Sequence, residues 1–108
     1  MVAARRFDVA LVHLDPTRGS EIRKTRPCAV VSPDELNHAL RTVIVAPMTT
    51  GGRAYPWRIP VTVDGKDGHI ALDQRRTVEQ TRLVKLLGRL DDATAERTLQ
   101  VLAELFAP

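Results

Sequence analysis

The alternation of apolar and polar residues predicts a chain built mainly of short β-strands. Residues 42–47 form an apolar, β-branched run, and residues 57–63 alternate between apolar and polar side chains, as a half-exposed strand does. Asp64-Gly65 is a hairpin signal that follows this alternating run. The same criteria predict further strands over residues 8–14, 28–31, 69–72 and 82–87.

A helix-start signature follows the second of these strands. Ser32 is predicted to cap a short helix or turn that ends near Arg41, with Pro33 at the first helical position. Glu35 is predicted to close a capping box with Ser32.

The end of the chain changes from a strand-like to a helical pattern. Asp91 or Asp92 can cap a helix that runs to the C-terminus. Its apolar residues recur at helical spacing, which predicts a buried face made of Ala95, Leu99, Leu102 and Leu105 or Phe106.

The order of these elements predicts an α+β fold that is mainly β. We expect a small, strongly twisted β-barrel of about five or six short strands, with one short internal helix and an amphipathic C-terminal helix packed on it. A chain of 108 residues is enough for one domain over residues 1–108 and not for two. Because aromatic residues make up only 4% of the chain, aliphatic side chains must fill the core.

Composition and charge narrow the class of protein. The chain is 44% hydrophobic and 27% charged, as is typical of globular domains, and its net charge of +3 favours an anionic partner. No apolar run approaches the roughly 18 residues of a membrane span, and residues 1–6 lack the apolar core of a signal peptide. We therefore expect a cytoplasmic protein without membrane contact. Cys28 has no second cysteine to pair with and lies in an apolar strand, which predicts a buried, inert thiol.

Residues 18–27 form a polar, basic linker between two predicted strands. The linker holds one acid, Glu21, among four cations, which are Arg18, Arg23, Lys24 and Arg26. A basic loop with one carboxylate, held between two rigid strands, suits a polyanionic ligand and can also act on one.

Five groups of residues follow one another in a recognisable order. They are Gly19-Ser20-Glu21 with Arg26-Pro27 and a Val-rich strand, Val45-Ala46-Pro47-Met48-Thr49-Thr50, Tyr55-Pro56-Trp57, residues 67–77, and Gly88-Arg89-Leu90-Asp91 before the final helix. This ordered set resembles the MazF/PemK family of toxin endoribonucleases over nearly the whole chain. The resemblance implies the SH3-like barrel of that family.

The resemblance also implies a catalytic site. Members of the family rely on the Arg of the Arg-Pro pair and on the first Thr of the Pro-x-Thr-Thr run, which are Arg26 and Thr49 here. The matching acid is Glu21, a candidate general base or a residue that orients Arg26. Arginine cannot be the base, because its pKa lies above about 12, but its planar fork suits the oxygens of a phosphorane. Taken alone, Arg26 and Glu21 are more typical of solvated surface charges, and Thr49 is also typical of a turn residue.

Other residues of the same motifs are expected to contact RNA, namely Ser20, Arg23, Lys24, Thr50, Tyr55, Gln74 and Arg76. Tyr55 and Trp57 could stack on unpaired bases, although Trp57 is better suited to fill the barrel or an interface. Arg75 stands where relatives usually carry an aliphatic residue. The sequence leaves open whether Arg75 faces the core, where it would need a partner, or the groove, where it would add an RNA contact.

The histidines offer a rival mechanism, because two imidazoles can divide acid and base work. His13, His38 and His69 lie on separate predicted elements and outside the family's catalytic motifs, so structural or surface roles are favoured for them. We expect no metal site and no cofactor.

These observations predict a metal-independent, sequence-selective endoribonuclease that cleaves single-stranded mRNA by attack of the ribose 2'-hydroxyl. The resemblance implies the toxin of a toxin–antitoxin pair, a homodimer with RNA across the subunit interface, and neutralisation by an antitoxin's disordered acidic C-terminal segment. Two alternatives come from other classes of protein. One is a CcdB-like gyrase poison, which the ending Glu104-Leu105-Phe106-Ala107-Pro108 disfavours because it lacks a Trp-Gly-Ile type of tail. The other is a catalytically weak relative that binds only RNA or an antitoxin.

Overall fold

The computed structural model describes residues 3–14, 25–51, 53–63 and 65–108. Within these residues the chain forms strands β1 (Asp8–His13), β2 (Thr25–Val30), β3 (Thr42–Thr50), β4 (Arg58–Val63), β5 (Lys66–Ala71), β6 (Arg76–Glu79) and β7 (Leu83–Arg89). The helices are α1 (Asp34–Ala39) and α2 (Asp92–Leu105), and 3-10 turns cover Leu72–Gln74 and Gln80–Arg82. Neither helix is long and apolar enough to cross a membrane.

The strands form one antiparallel, 7-stranded sheet in the order β4-β5-β3-β2-β1-β7, with β6 also paired to β3. β3 is the hub of this sheet, because it pairs with β6 through Val45, with β2 through Pro47 and with β5 from Met48 onward. The predicted mainly-β, α+β class is confirmed. Among the described residues β4 and β7 form the two ends of the strand order, so the sheet is open there.

Alternating side chains along the strands build one apolar cluster on each face of the sheet. On β1, Val9 belongs to one cluster, whereas Ala10 and Val12 belong to the other. The first cluster packs against α2 and contains Ala29, Ala46, Met48, Ile59, Ile70, Leu72, Ala95 and Val101. The second contains Cys28, Val30, Val43, Val45 and Val78. Aliphatic side chains therefore fill both clusters, as the scarcity of aromatic residues predicts.

The start of α1 differs from the prediction. The N-cap is Pro33, without a side-chain cap, and the helix ends at Ala39 rather than near Arg41. Ser32 cannot cap the helix because its hydroxyl is used elsewhere: it donates to Asn37 Oδ1 and accepts from the backbone N–H of Ile44. Ser32 thus ties α1 to β3 inside the protein.

The start of α2 is confirmed, since the carboxylate of Asp91 accepts a hydrogen bond of 2.7 Å from the Thr94 N–H. The buried face of α2 is rotated relative to the prediction. Ala95 is buried and Leu102 is partly buried as predicted, but Leu99, Leu105 and Phe106 are 37%, 38% and 68% exposed. Thr98 and Val101 are the remaining buried residues. A polar residue can occupy this face because the Thr98 hydroxyl donates to the carbonyl of Thr94, which satisfies it internally.

Two strand boundaries matter for the site. β2 begins at Thr25 rather than Cys28, and β3 continues to Thr50 rather than ending at Pro47. Arg26, Thr49 and Thr50 therefore lie on strands rather than in loops or turns. Strand β6 was not predicted, because its four residues include only one buried apolar side chain, Val78.

Candidate active site

Arg26 and Thr49 lie at the same end of the β2–β3 pair. The last paired residues of that ladder are Cys28 and Pro47. Arg26 precedes Cys28 by two residues and Thr49 follows Pro47 by two, so both project from the same face at the same end of the ladder. Both side chains are half-buried. The fold thus brings a guanidinium and a hydroxyl, which are distant in sequence, to one end of the β2–β3 ladder.

β6 adds a second guanidinium to this face. Arg76 is paired with Val45 on β3, and Val45 is paired with Val30 on β2. Burial raises the pKa of the Cys28 thiol to about 12, while the positive charges of Arg26 and Arg76 act to lower it. Because both charges act on the same thiol, the two guanidinium groups share its surroundings. Cys28 is fully buried and remains protonated at neutral pH, as predicted for an inert thiol.

The hydroxyl of Thr49 is unusual for a buried polar group. Its Oγ1 is inaccessible to solvent and has no hydrogen-bond partner among the described residues. A native protein rarely leaves a buried hydroxyl unpaired without a functional or structural reason. A cavity of about 270 Å³ lies beside Thr49, lined also by Pro27, Met48, Thr50, Val61, Lys66 and Gly68. No role was predicted for Lys66 and Gly68 from the sequence. The feature that could have pointed to them is the motif over residues 67–77, which contains Gly68 and directly follows Lys66.

The β3–β5 ladder places His69 directly opposite Thr49. His69 Nδ1 lies 3.2 Å from the carbonyl oxygen of Gly51. Since a carbonyl can only accept, this contact puts the proton of the neutral ring on Nδ1 and leaves Nε2 as an acceptor. His13 and His38 are exposed on β1 and α1, and no hydrogen bond joins any two of the three histidines. The described structure therefore shows one histidine beside Thr49 rather than a histidine pair.

A second group of residues surrounds Tyr55. The ring of Tyr55 stacks on that of Trp57, with centroids 4.9 Å apart, and the guanidinium of Arg58 lies over Tyr55. Trp57 is 37% exposed, so it does not fill the core. Arg58 also forms a two-pronged ion pair with Asp73, at 3.1 and 3.0 Å, which holds the pKa of Asp73 below its usual value. Gln74 is exposed immediately after Asp73. The segment from Asp73 to Arg76 thus runs from the ion pair beside the aromatic stack to the site of Arg26 and Arg76.

Arg75, which the sequence left open as a core or a groove residue, has partners within the protein. Its guanidinium lies 4.4 Å from the ring centroid of Phe106, and its NH1 group donates to the carbonyl of Leu72. Arg75 is half-buried and has both a cation–π partner and a hydrogen-bond partner. It therefore fastens the C-terminal end of the chain to the 3-10 turn at Leu72.

Four predicted site residues lie outside the described residues, namely Ser20, Glu21, Arg23 and Lys24. Thr50 is exposed at the end of β3, where it is paired with Gly68. No group of three or more His, Cys, Asp or Glu side chains that could hold a metal ion occurs in the part of the chain that the structure describes.

The chain matches a known protein family over most of its length. The PemK-like, MazF-like toxin family of type II toxin–antitoxin systems matches residues 5–106. The chain belongs to this family.

Relatives and solved structures support the assignment. Endoribonuclease PemK of Escherichia coli is 35% identical over 100 residues, which span 87% of this chain and 75% of that protein. Endoribonuclease MazF of Staphylococcus saprophyticus is 38% identical over 96 residues, which span 82% of this chain and 78% of that protein. The fold is shared with an endoribonuclease from a mycobacterial species solved in complex with its cognate antitoxin, at a TM-score of 0.81 and 24% identity, covering 98% of both chains. MazF of Deinococcus radiodurans also shares it, at a TM-score of 0.80 and 20% identity, covering 97% of both chains.

Proposed function

We propose that this chain is an endoribonuclease that cleaves single-stranded RNA at a site centred on Arg26 and Thr49. The observation that carries the proposal is the position of these two residues at the same end of the β2–β3 ladder, with Arg76 on the adjoining strand. The endoribonucleases PemK and MazF among its relatives support the same activity.

The proposed reaction is an in-line transfer within the RNA. The ribose 2'-oxygen attacks the adjacent phosphorus, the bond from phosphorus to the 5'-oxygen breaks, and the products carry a 2',3'-cyclic phosphate and a 5'-hydroxyl. Negative charge grows on the non-bridging oxygens in the transition state. Arg26 is suited to stabilise that charge with its fixed fork of donors, and Arg76 adds a second positive charge nearby.

Thr49 is proposed to donate a hydrogen bond to the scissile phosphate. Its hydroxyl is buried and has no partner among the described residues, so a phosphate oxygen would provide the partner that these residues do not.

Two groups are candidates for the base that removes the 2'-hydroxyl proton. Glu21 is the candidate implied by the family motif. His69 is the titratable residue opposite Thr49, and its Nε2 is left as an acceptor. Substitution separates them: the rate of cleavage is compared between Glu21→Gln and His69→Gln, and the substitution that removes the base should cause the larger loss.

The surrounding residues are proposed to hold the RNA chain. Thr50 and Gln74 are exposed in the described structure, and Tyr55 is half-buried. Lys66 lines the cavity beside Thr49 and would place a positive charge near a phosphate that neighbours the scissile one. Ser20, Arg23 and Lys24 belong to the basic linker and are proposed to add further contacts.

We also propose that the protein acts in the cytoplasm as a homodimer that an antitoxin neutralises. Solved complexes of a mycobacterial endoribonuclease with its cognate antitoxin and of MazE with MazF from Deinococcus radiodurans support the antitoxin. Val84 and Leu86 are 60% and 62% exposed on β7, an end strand of the sheet, and an apolar edge of this kind supports pairing with another chain.

The experiment that tests the proposed activity uses the purified protein and a long single-stranded RNA in EDTA, with the same sequence annealed to its complement as the control. The proposal predicts cuts at a short motif in the single strand, with a 2',3'-cyclic phosphate on one side and a 5'-hydroxyl on the other. Intact RNA after long incubation with folded protein contradicts it.

A further inference from the structure

Strand β5 approaches β3 unusually closely at Gly68. Gly68 is paired with Thr50. A Cβ atom built on Gly68 would lie 2.0 Å from the carbonyl oxygen of Thr49, 3.0 Å from its carbonyl carbon and 3.4 Å from the Thr50 Cα. All three neighbours are backbone atoms, which cannot move aside as the end of a flexible side chain can.

The need for glycine here is one of space. Among the glycines that the structure describes, Gly51, Gly65 and Gly88 have positive φ, and Gly68 does not. Any other residue could therefore adopt the backbone conformation of Gly68, but its Cβ would force β5 away from the Thr49 peptide.

Such a displacement acts directly on the Thr49 hydroxyl. Thr49 is β-branched, so its χ1 angle is restricted and the hydroxyl moves with the backbone. Real Cβ atoms essentially never lie closer than 3.0 Å to a neighbour, and the built Cβ lies at 2.0 Å, so the two strands would have to separate by about 1 Å. A misplacement of about 1 Å in a catalytic group can cost about 10²-fold in rate.

We propose that Gly68 is a positioning residue for RNA cleavage: the bare glycine lets β5 press on the Thr49 peptide and holds the Thr49 hydroxyl at the scissile phosphate. This inference rests on the proposed function and deepens it, because it assigns the accuracy of the site to a residue that acts through the backbone of Thr49. The residues proposed to contact the scissile phosphate remain Arg26 and Thr49.

The test compares Gly68→Ala with Gly65→Ala. Gly65 lies in the turn between β4 and β5, with φ of +74° and open space around its Cβ, so an alanine there strains the β4–β5 hairpin without touching Thr49. Kinetics on a single-stranded RNA are measured per folded molecule, with the folded fraction taken from urea titration. We expect Gly68→Ala to lower kcat by about 10²-fold with little change in KM, and Gly65→Ala to leave both nearly unchanged.

Two further readouts separate positioning from general damage. NMR chemical shifts of the Thr49 and Thr50 amides are expected to change in Gly68→Ala and not in Gly65→Ala. Adding Gly68→Ala to Thr49→Val is expected to cost little more than Thr49→Val alone, because the hydroxyl to be positioned is already absent.

A kcat for Gly68→Ala close to that of the wild type overturns the proposal. So does an equal loss in Gly65→Ala, a fully additive double variant, or a Gly68→Ala protein with no folded population, since Gly68 would then support the whole fold. If the wild-type protein cleaves no RNA, the proposed function fails, and the amide shifts alone decide whether Gly68 positions Thr49.

Discussion

Replacing Thr49 with valine is expected to make the protein more stable and far less active. Valine has nearly the shape of threonine and keeps the β-branch that suits strand β3, but it removes the buried Oγ1, for which the described part of the chain offers no hydrogen-bond partner. Burying a hydroxyl without a partner costs about 1–3 kcal/mol in proteins. Removing it should therefore raise the free energy of unfolding by about 1 kcal/mol or more. In the same variant, loss of the proposed phosphate donor should lower the cleavage rate about 10²–10³-fold.

Thr98→Val is the matched control. Thr98 is fully buried on α2, and its hydroxyl donates a 2.8 Å hydrogen bond to the Thr94 carbonyl. The same substitution should there lower the free energy of unfolding by about 1 kcal/mol, because it removes a satisfied hydrogen bond. Urea denaturation at one fixed protein concentration measures both variants, since self-association would shift the midpoint. If Thr49→Val loses as much stability as Thr98→Val, the buried Thr49 hydroxyl does not destabilise the free protein and the argument is wrong.

Three further predictions follow from the described contacts. Gln80→Leu should lower the free energy of unfolding by about 2–4 kcal/mol, because the buried Gln80 amide accepts from the Ala4 N–H and donates to the carbonyls of Asn37 and Leu40. Gln100→Leu, on the exposed face of α2, should change that free energy by less than about 0.5 kcal/mol. Urea denaturation compares the two variants, and equal losses would contradict the role of the Gln80 contacts. Cys28 should not react with a thiol reagent in the native protein at pH 8 but should react in urea. Because burial raises its pKa to about 12, the thiol's contribution to stability is complete below its unfolded pKa and is lost as the pH rises toward 12. A Cys28→Ala variant should therefore show a weaker decline in the free energy of unfolding between about pH 9 and 11 than the wild type. Arg75→Ile should keep the cleavage rate within about threefold of the wild type, because Arg75 contacts Phe106 and the Leu72 carbonyl; a loss comparable to that of an oxyanion donor would mean that Arg75 acts on the RNA.

The sequence predicts much of the fold because its strands are local patterns. The apolar run of β3 and the alternation of β4 are visible without any knowledge of their partners. Strand β6 is different: its residues, Arg76–Glu79, are mostly polar and form a strand only because β3 offers an edge to pair with. The buried face of α2 was misplaced for a related reason, since Thr98 looks polar in the sequence and is satisfied inside the helix only in the structure.

The candidate site divides in the same way. Arg26 and Thr49 can be named from ordered motifs, but that they share one end of the β2–β3 ladder depends on the strand register. The convergence of Arg76 on the same face depends on β6, which the sequence did not reveal. The tight contact of Gly68 with the Thr49 carbonyl is a backbone distance that no side-chain pattern encodes.

The single-turnover rate of RNA cleavage by Arg26→Ala tests the central claim most directly, with Arg97→Ala on the exposed face of α2 as the matched loss of one arginine. Both proteins should unfold at nearly the wild-type urea concentration, because neither substitution empties the core. The account predicts that Arg26→Ala loses about 10²–10³-fold or more in rate while Arg97→Ala keeps nearly all of it. An Arg26→Ala protein that cleaves as fast as Arg97→Ala would remove Arg26 from the mechanism and, with it, the assignment of the active site to the end of β2 and β3.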